Sequence, residues 1–253
     1  MSNTEKKKSR KIFSILALIA VVAIVAILTV FAINKPNYEL YEEKEINLPK
    51  NTATYVLIPG GGHGAWCYDM VIDQLEEAGQ TAYAVSLPGT GERASELTSD
   101  IGLEDHIDAT VDFITENDLH DVILVGHSYG GMVITGTADR IPDRIKTIVY
   151  LDAVHPKNNQ NLIEAQPLVE HVPIVSEPSV IDGVEVNLVP GDETLKFLGL
   201  TEEEDINFAK DKLTPHPWKT FTDKLTLQNP NIVEDIGKYD IYTKTTIDGL
   251  DNM

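Results

Sequence analysis

The amino-acid sequence predicts an α/β domain in which helices cover both faces of a parallel β-sheet. Short apolar strands alternate with amphipathic helical runs between Ala53 and Asp152, which is the order that a parallel sheet requires. Two of the strands lead into helices through glycine-rich turns, at 60–64 and at 126–131. The chain has 253 residues, 42% of them hydrophobic, so it is long enough for one such domain with a sizeable core.

The first glycine-rich turn, GGGHG at 60–64, follows an apolar strand at Ala53–Pro59 and precedes a helix predicted from about Ala65 to Glu77. Such a turn could bind a phosphate or donate backbone N–H groups to an oxyanion. The G-x-G-x-x-G spacing of a dinucleotide-binding loop is absent, and no acidic ribose partner follows the next strand, Thr81–Ser86. The turn therefore favours the second function, in which preorganised N–H dipoles stabilise a tetrahedral oxyanion.

The second turn carries a G-x-S-x-G motif, GHSYG at 126–130, between an apolar strand at Val122–Val125 and a helix-compatible run at Gly131–Asp139. A nucleophile elbow needs these surroundings, because its serine sits in a strained turn whose neighbours must be very small. Ser128 is thus the candidate nucleophile, and the Tyr129 backbone N–H is expected to point to where an oxyanion forms. The competing interpretation is an ordinary small-residue turn with an incidental serine.

The alternation of strands and helices continues to residue 152 and resumes near the C-terminus. Apolar residues from Leu103 to Ile114 recur at helical spacing, and Lys146–Asp152 is a further predicted strand. A last strand is predicted at Asp240–Ile247 and ends at Asp248. Ligands of such sheets bind at the carboxyl ends of the strands, which is where Ser128 and Asp248 fall.

Residues from about 155 to 231 interrupt this alternation and are predicted to form a cap over the site. They contain a hairpin at Val180–Val186, with Asp182-Gly183 as its turn. The segment Thr201–Glu204 predicts a capping box at the start of a helix that reaches about Leu213.

The N-terminus predicts a membrane anchor. A basic tail at residues 1–11 precedes an uncharged apolar run at Ile12–Ile33. At ~1.5 Å per helical residue the run spans ~33 Å, enough for a hydrocarbon core of ~30 Å. The basic flank places the tail in the cytoplasm and the domain outside the cell membrane, after a tether at residues 34–52. Secretion after signal-peptide cleavage is the alternative, although the run exceeds the usual apolar region of about 7–15 residues.

Composition excludes several partners. The formal net charge of -20 argues against nucleic acid or anionic lipid as a partner of the folded part. Cys67 is the single cysteine, so no internal disulfide can form. No H-E-x-x-H motif or Cys/His cluster occurs, so no metal or cofactor is expected. The oligomeric state is open at this level.

Four segments together resemble bacterial α/β-hydrolases related to plant methylesterases and hydroxynitrile lyases. They are IPGGGHGAWC at 58–67, LPGTGERA at 87–94, VGHSYGGMV at 125–133 and YLDA at 150–153. The resemblance covers about residues 53–248 and implies the α/β-hydrolase fold with a Ser–Asp–His triad. By motif position, Ser128 is the nucleophile, Asp248 is the acid, and the N–H groups of Gly61 and Tyr129 form the oxyanion hole. The lyases have threonine where Gly60 stands, so the esterase branch is implied.

The catalytic histidine is a departure from that family. There it follows one further strand after the acid, whereas this sequence runs only to Met253, so the last strand, the last helix and the histidine are expected to be missing. Among the histidines present, His63 in the oxyanion loop and His155 after the strand that follows the elbow are candidates to line the pocket. Asp152, at the end of a strand, is an alternative acid.

The sequence thus predicts that residues 53–253 form a serine hydrolase acting on a carboxylic ester or a similar small acyl compound. The alternative is a truncated or degenerate chain of the same fold that binds a small ligand without catalysis.

Overall fold

The computed structural model describes residues 52–165 and 177–243. Its central sheet contains the strands β1 (Thr54–Ile58), β2 (Thr81–Ala84), β3 (Val122–His127), β4 (Ile145–Leu151) and β8 (Gly237–Ile241). They are all parallel and lie in the order β2-β1-β3-β4-β8. The last residue of β1, Ile58, lies opposite Gly126 of β3, so the two glycine-rich turns leave the sheet side by side.

Helices cover both faces of this sheet, as the sequence predicts. Successive side chains of a strand point to opposite faces, so Val56 packs in one core cluster and Leu57 in the other. The helices α2 (Leu103–Glu116) and α3 (Gly130–Arg140) pack on the Val56 face. Helix α1 (Asp69–Glu77) packs on the Leu57 face, after a 3-10 turn that precedes it.

Helix α2 forms where apolar residues recur at helical spacing. Leu103, Ile107 and Ile114 are at most 1% exposed and face the sheet. Full burial of a side chain of this size contributes roughly 1.5–3 kcal/mol. The Asp105 carboxylate accepts a hydrogen bond from the Gly102 N–H at 2.8 Å and thereby caps the first turn of the helix.

The segment between β4 and β8 adds a small antiparallel sheet and short helices. Its strands are β5 (Ser179–Ile181), β6 (Val184–Asn187) and β7 (His216–Pro217), in the order β5-β6-β7. Its helices are α4 (Leu162–Ala165), α5 (Asp192–Phe197), α6 (Glu203–Lys212), α7 (Lys219–Thr222) and α8 (Pro230–Asp235). The predicted hairpin is present, and both residues of its Asp182-Gly183 turn have the positive φ that a two-residue turn of this kind needs.

Two predicted boundaries are wrong. Helix α6 begins at Glu203 after Glu202, and no side chain bonds to its first turn, so the predicted capping box at Thr201 does not form. The last strand covers Gly237–Ile241 and so begins earlier than the predicted Asp240, because its pairing with β4 starts at Thr147 opposite Gly237. Positions 244–247 of the predicted strand lie outside the described residues. The ends of a strand are set by its pairing with the neighbouring strand, and the local pattern of apolar residues does not reveal that pairing.

Several predictions fall outside the described residues. They concern the basic tail at 1–11, the anchor at 12–33, most of the tether at 34–52, and Asp248. Within the two described ranges, no helix has the length and apolar character needed to cross a bilayer.

Candidate active site

Ser128 occupies the sharp turn between β3 and α3. Its φ is +52°, a left-handed conformation that is uncommon for residues other than glycine and that clusters at functional sites. The glycines on either side are sterically required. A Cβ on Gly126 would lie 2.7 Å from the Gly130 carbonyl oxygen, and one on Gly130 would lie 2.7 Å from the Ile58 carbonyl oxygen. The predicted small neighbours of the serine therefore have a direct physical cause.

Backbone hydrogen bonds hold the strained residue in place. The Ser128 carbonyl accepts from the Gly131 N–H at 3.1 Å and from the Val154 N–H at 3.2 Å. The Ser128 N–H donates to the Leu151 carbonyl at 3.4 Å. The turn is thus hydrogen-bonded both to its own helix and to β4 and the segment that follows it. These bonds hold Ser128 in its left-handed conformation.

The loop after β1 lies directly beside this turn. A Cβ on Gly60 would lie 3.1 Å from the Ser128 Cβ. The loop therefore approaches the serine closely at a position where glycine leaves room for it. Neither the Gly61 N–H nor the Tyr129 N–H donates a hydrogen bond to another described residue. The structure therefore places the loop that contains Gly61 beside Ser128 and Tyr129, the three residues that the sequence predicts for the site.

Glu92 anchors the chain directly after the Gly60–Gly64 loop, which is the proposed oxyanion loop. Its carboxylate accepts hydrogen bonds from the Ala65 N–H at 3.0 Å, from the Trp66 N–H at 3.1 Å and from the Ser86 hydroxyl. Partial burial opposes ionisation, but these donors outweigh it and lower the pKa of Glu92. The charge in LPGTGER therefore fixes the start of the helix that follows the oxyanion loop.

His63 lies in the oxyanion loop, as its sequence position requires. Its Nδ1–H donates to the Gly61 carbonyl at 2.9 Å, and its ring stacks on Trp66 at 5.6 Å between centroids. Burial, followed by the neighbouring His127, lowers the pKa of His63 to about 4. The ring is therefore neutral at pH 7.

His155 follows Val154, whose N–H donates to the Ser128 carbonyl. Its ring stacks on Tyr150 at 4.0 Å, and its Nδ1 is 3.4 Å from a carboxylate oxygen of Asp240. Asp152, the alternative acid, has a positive φ of 46° and accepts a hydrogen bond from the Thr243 hydroxyl at 2.9 Å. Burial lowers the pKa of His127, and the nearby Asp152 carboxylate opposes this shift.

No histidine in the described ranges hydrogen bonds to the Ser128 hydroxyl. Those histidines are His63, His106, His120, His127, His155 and His216. Their recorded partners are carbonyl, amide, hydroxyl, carboxylate or guanidinium groups of other residues. The same part of the chain holds no cluster of three or more His, Cys, Asp or Glu residues placed to bind a metal ion.

The sequence does not predict that two buried histidines support the site. His106 and His216 are at most 1% exposed, and both pack against the Tyr129 ring. The helical stripe of α2 already contains position 106, so its burial could have been found from spacing. His216 lies in the segment LTPHP at 213–217, and its contact with Gly62, 154 positions away, leaves no local signal.

Comparison with known proteins supports the same fold. The family model described as "Alpha/beta hydrolase family" matches residues 55–229. The chain belongs to the alpha/beta hydrolase family. The resemblance of its motifs to bacterial relatives of the plant methylesterases is likewise confirmed.

Among its relatives, this alpha/beta hydrolase is 44% identical to the carbendazim hydrolyzing esterase of Nocardioides sp. (strain SG-4G) over 115 residues, which are 46% of this chain and 48% of that protein. It is 27% identical to the putative methylesterase 15, chloroplastic, of Arabidopsis thaliana over 216 residues, which are 78% of this chain and 47% of that protein. The chain thus spans about half the length of these curated relatives.

A solved structure of an extracellular alpha/beta-hydrolase from a Paenibacillus species superposes with a TM-score of 0.59. It is 24% identical, and the superposition covers 76% of this chain and 78% of that one. Its description states structural and functional homology to tobacco salicylic acid binding protein 2. At this identity the likeness shows the fold alone.

Proposed function

We propose that this alpha/beta hydrolase is a serine esterase that cleaves small carboxylic esters through an acyl-enzyme. The observation that carries the proposal is the Ser128 turn, with its positive φ, pressed against the Gly60–Gly62 loop. A strained serine next to two unpartnered amides is the arrangement that nucleophilic acyl transfer needs. The names of the relatives, an esterase and a methylesterase, support the substrate class, and methyl esters are the first candidates.

In the proposed reaction, the Ser128 hydroxyl oxygen attacks the ester carbonyl carbon. The carbonyl oxygen gains negative charge, which the N–H groups of Gly61 and Tyr129 stabilise. Two such donors matter because removing one from a comparable oxyanion hole costs about 10²–10³ in turnover. The serine proton passes to a base and then to the departing alcohol, and water releases the acid from Ser128 in a second addition and elimination.

The base is the open part of this mechanism. The family resemblance assigns it to a histidine held by Asp248, one strand further along. Asp248 lies outside the described residues, and the sequence contains no histidine after His216. His106 and His216 use both ring nitrogens in hydrogen bonds, so they have none to offer Ser128. His155 has a carboxylate partner and partial exposure, so it is the first described histidine to test, by a His155→Ala substitution.

The second candidate function is ligand binding without catalysis by the same fold. It is favoured by one observation, that no histidine in the described ranges hydrogen bonds to the Ser128 hydroxyl. Without a base, serine stays a neutral alcohol and attacks poorly, and loss of the histidine in a comparable enzyme costs about 10⁶ in turnover.

Location at the cell membrane also forms part of the proposal. The apolar run at 12–33 and its basic flank support an anchor with the domain outside the cytoplasm. A small ester would then reach the site without crossing the membrane.

Hydrolysis of p-nitrophenyl acetate tests the esterase proposal. The wild-type chain should release p-nitrophenol above the rate in buffer, and Ser128→Ala should remove the excess. Ser99→Ala, an exposed serine far along the chain from the elbow, serves as the matched control and should keep full activity. A folded wild-type chain with no activity on short-chain esters would contradict the esterase proposal and favour ligand binding.

A further inference from the structure

His216 occupies a buried position with both ring nitrogens engaged. It is 1% exposed, its Nδ1 lies 3.0 Å from the Gly62 backbone nitrogen, and its Nε2 lies 2.8 Å from the Thr220 hydroxyl. The Thr220 hydroxyl donates its single proton to the Pro217 carbonyl at 2.8 Å, so towards His216 it can only accept. Nε2 therefore carries the proton, and Nδ1 accepts from the Gly62 N–H. One neutral tautomer satisfies all of these partners.

The same ring contacts the residue that provides the other oxyanion donor. The centroids of His216 and Tyr129 are 4.7 Å apart with an interplanar angle of 69°, and His216 stacks on Phe221 at 4.5 Å and 18°. Tyr129 is fixed in turn, because its hydroxyl donates to Nδ1 of His106 at 2.9 Å. The His106 Nε2–H donates to the Pro88 carbonyl at 2.8 Å, which settles the direction of that bond.

The segment that carries His216 holds Gly62 from both sides. The Gly62 carbonyl accepts from the Thr214 N–H at 2.9 Å, while His216 accepts from the Gly62 N–H. Gly62 has a φ of +73°, and a Cβ there would lie 2.7 Å from the Thr214 carbonyl oxygen. The two segments therefore approach so closely that a larger residue at position 62 would clash. The Gly62 N–H belongs to the peptide that joins Gly61 to Gly62. Fixing this peptide restricts the rotation of Gly61, whose own N–H is the proposed oxyanion donor.

We propose that His216 is a positioning residue of the oxyanion hole: as a neutral hydrogen-bond acceptor it fixes the Gly61–Gly62 peptide beside Ser128 while its ring supports Tyr129. This inference rests on the proposed esterase function. Protonation of Nδ1 would set one N–H against another and break the link to Gly62. Burial, followed by the neighbouring rings of His106 and His63, lowers the pKa of His216 well below its usual value, so the neutral form persists across the ordinary pH range.

Two substitutions separate this role from simple packing. His216→Leu keeps an apolar side chain of similar size and removes the acceptor, whereas His216→Gln keeps an acceptor for Gly62 and a donor for Thr220. For p-nitrophenyl acetate, we expect kcat of His216→Leu to fall roughly 10- to 100-fold, somewhat less than loss of a whole oxyanion donor. KM should change by less than about 3-fold, because the lost contact acts in the transition state. His216→Gln should recover most of kcat.

A buried substitution elsewhere provides the stability control. Leu225 is fully buried and packs against α3, so Leu225→Ala should lower the melting temperature by at least as much as His216→Leu while leaving kcat unchanged. If His216→Leu keeps the wild-type kcat, or if His216→Gln is as slow as His216→Leu, the positioning role is refuted even though the esterase proposal stands.

Exchange of the Gly62 amide hydrogen, followed by ¹⁵N NMR, gives a readout that needs no turnover. The amide should exchange slowly in the wild type and in His216→Gln, and faster in His216→Leu. An unchanged rate in His216→Leu would overturn the inference whatever the activity. If the wild type hydrolyses no ester, the esterase proposal fails by itself, and faster exchange in His216→Leu would still uphold the His216–Gly62 link.

Discussion

Gly130→Ala should destabilise the protein and disable its nucleophile, although the same change in most helices is stabilising. Alanine in place of glycine within a helix normally gains about 0.5–1 kcal/mol. Here the new Cβ would lie 2.7 Å from the Ile58 carbonyl oxygen and 3.0 Å from the Pro59 carbonyl oxygen. These are backbone atoms at the end of β1, so they cannot yield without shifting the loop that carries Gly61.

The expected cost follows from these contacts. Overpacking of a rigid interior typically costs about 1–3 kcal/mol, and the upper end applies because both contacts are with backbone atoms. Subtracting the helix preference of about 0.5–1 kcal/mol from about 3 kcal/mol leaves a net loss of roughly 2 kcal/mol. For a chain of this size, each kcal/mol lowers the melting temperature by about 2–4 °C, which gives a shift of roughly 4–8 °C. Ser128 should also lose reactivity, because the elbow and the oxyanion loop move apart.

The assay compares thermal melts of the wild type, Gly130→Ala and Gly237→Ala. Gly237 opens β8, and a Cβ there meets nothing within 4 Å, so its substitution should be neutral or slightly stabilising. A Gly130→Ala protein that melts at or above the temperature of Gly237→Ala would refute the close packing of the elbow against β1.

Three further predictions address other parts of the account. Burial lowers the pKa of His106 from 6.5 to about 4, so the folded state binds fewer protons than the unfolded state between these pH values. The protein should therefore lose stability as the pH falls through that window, by roughly 3 kcal/mol at full effect. His106→Gln should make the melting temperature less dependent on pH, and the same pH dependence in the variant and the wild type would contradict this. Asp139→Ala should lower the free energy of unfolding by about 2–4 kcal/mol in a denaturant titration. The reason is that it leaves without a partner the Gln228 and Asn229 N–H groups, which the Asp139 carboxylate binds at 2.8 and 2.7 Å. Asp139→Asn should cost less, and equal denaturation midpoints of the two variants would contradict this. Protease added outside intact cells should release the domain if residues 12–33 form an anchor, whereas protection until lysis would mean the opposite orientation.

The sequence could predict the parallel sheet and the elbow because both depend on local pattern. An apolar strand, a small-residue turn and a helix follow one another within 122–140, and Gly126 is crowded by its sequence neighbour Gly130. Gly130 is crowded by the distant Ile58 carbonyl, a contact that the motif predicts but local geometry alone does not. Boundaries set by pairing between distant strands are less accessible, which is why β8 begins earlier than its local apolar run suggests. At the start of α6, Glu202 occupies the N-cap position with no side-chain cap, although the local sequence favours Thr201.

The supports of the candidate site could not be predicted in the same way. His216 and Gly62 are 154 positions apart, and only the folded chain shows that one accepts a hydrogen bond from the other. The sequence places residue 216 shortly after a predicted helix and before a proline, but it does not show that the His216 ring packs against Tyr129. Long-range polar contacts of this kind leave no periodic signal.

Mapping the site of a covalent adduct tests the central claim most directly. A fluorophosphonate reacts with an activated serine, so the intact wild-type chain should gain the mass of one adduct, and the digest should place it on the peptide that contains Ser128. Ser128→Ala should gain none under the same conditions. An adduct that persists in Ser128→Ala, or that maps to another residue in the wild type, would contradict the assignment of the nucleophile and with it the proposed reaction.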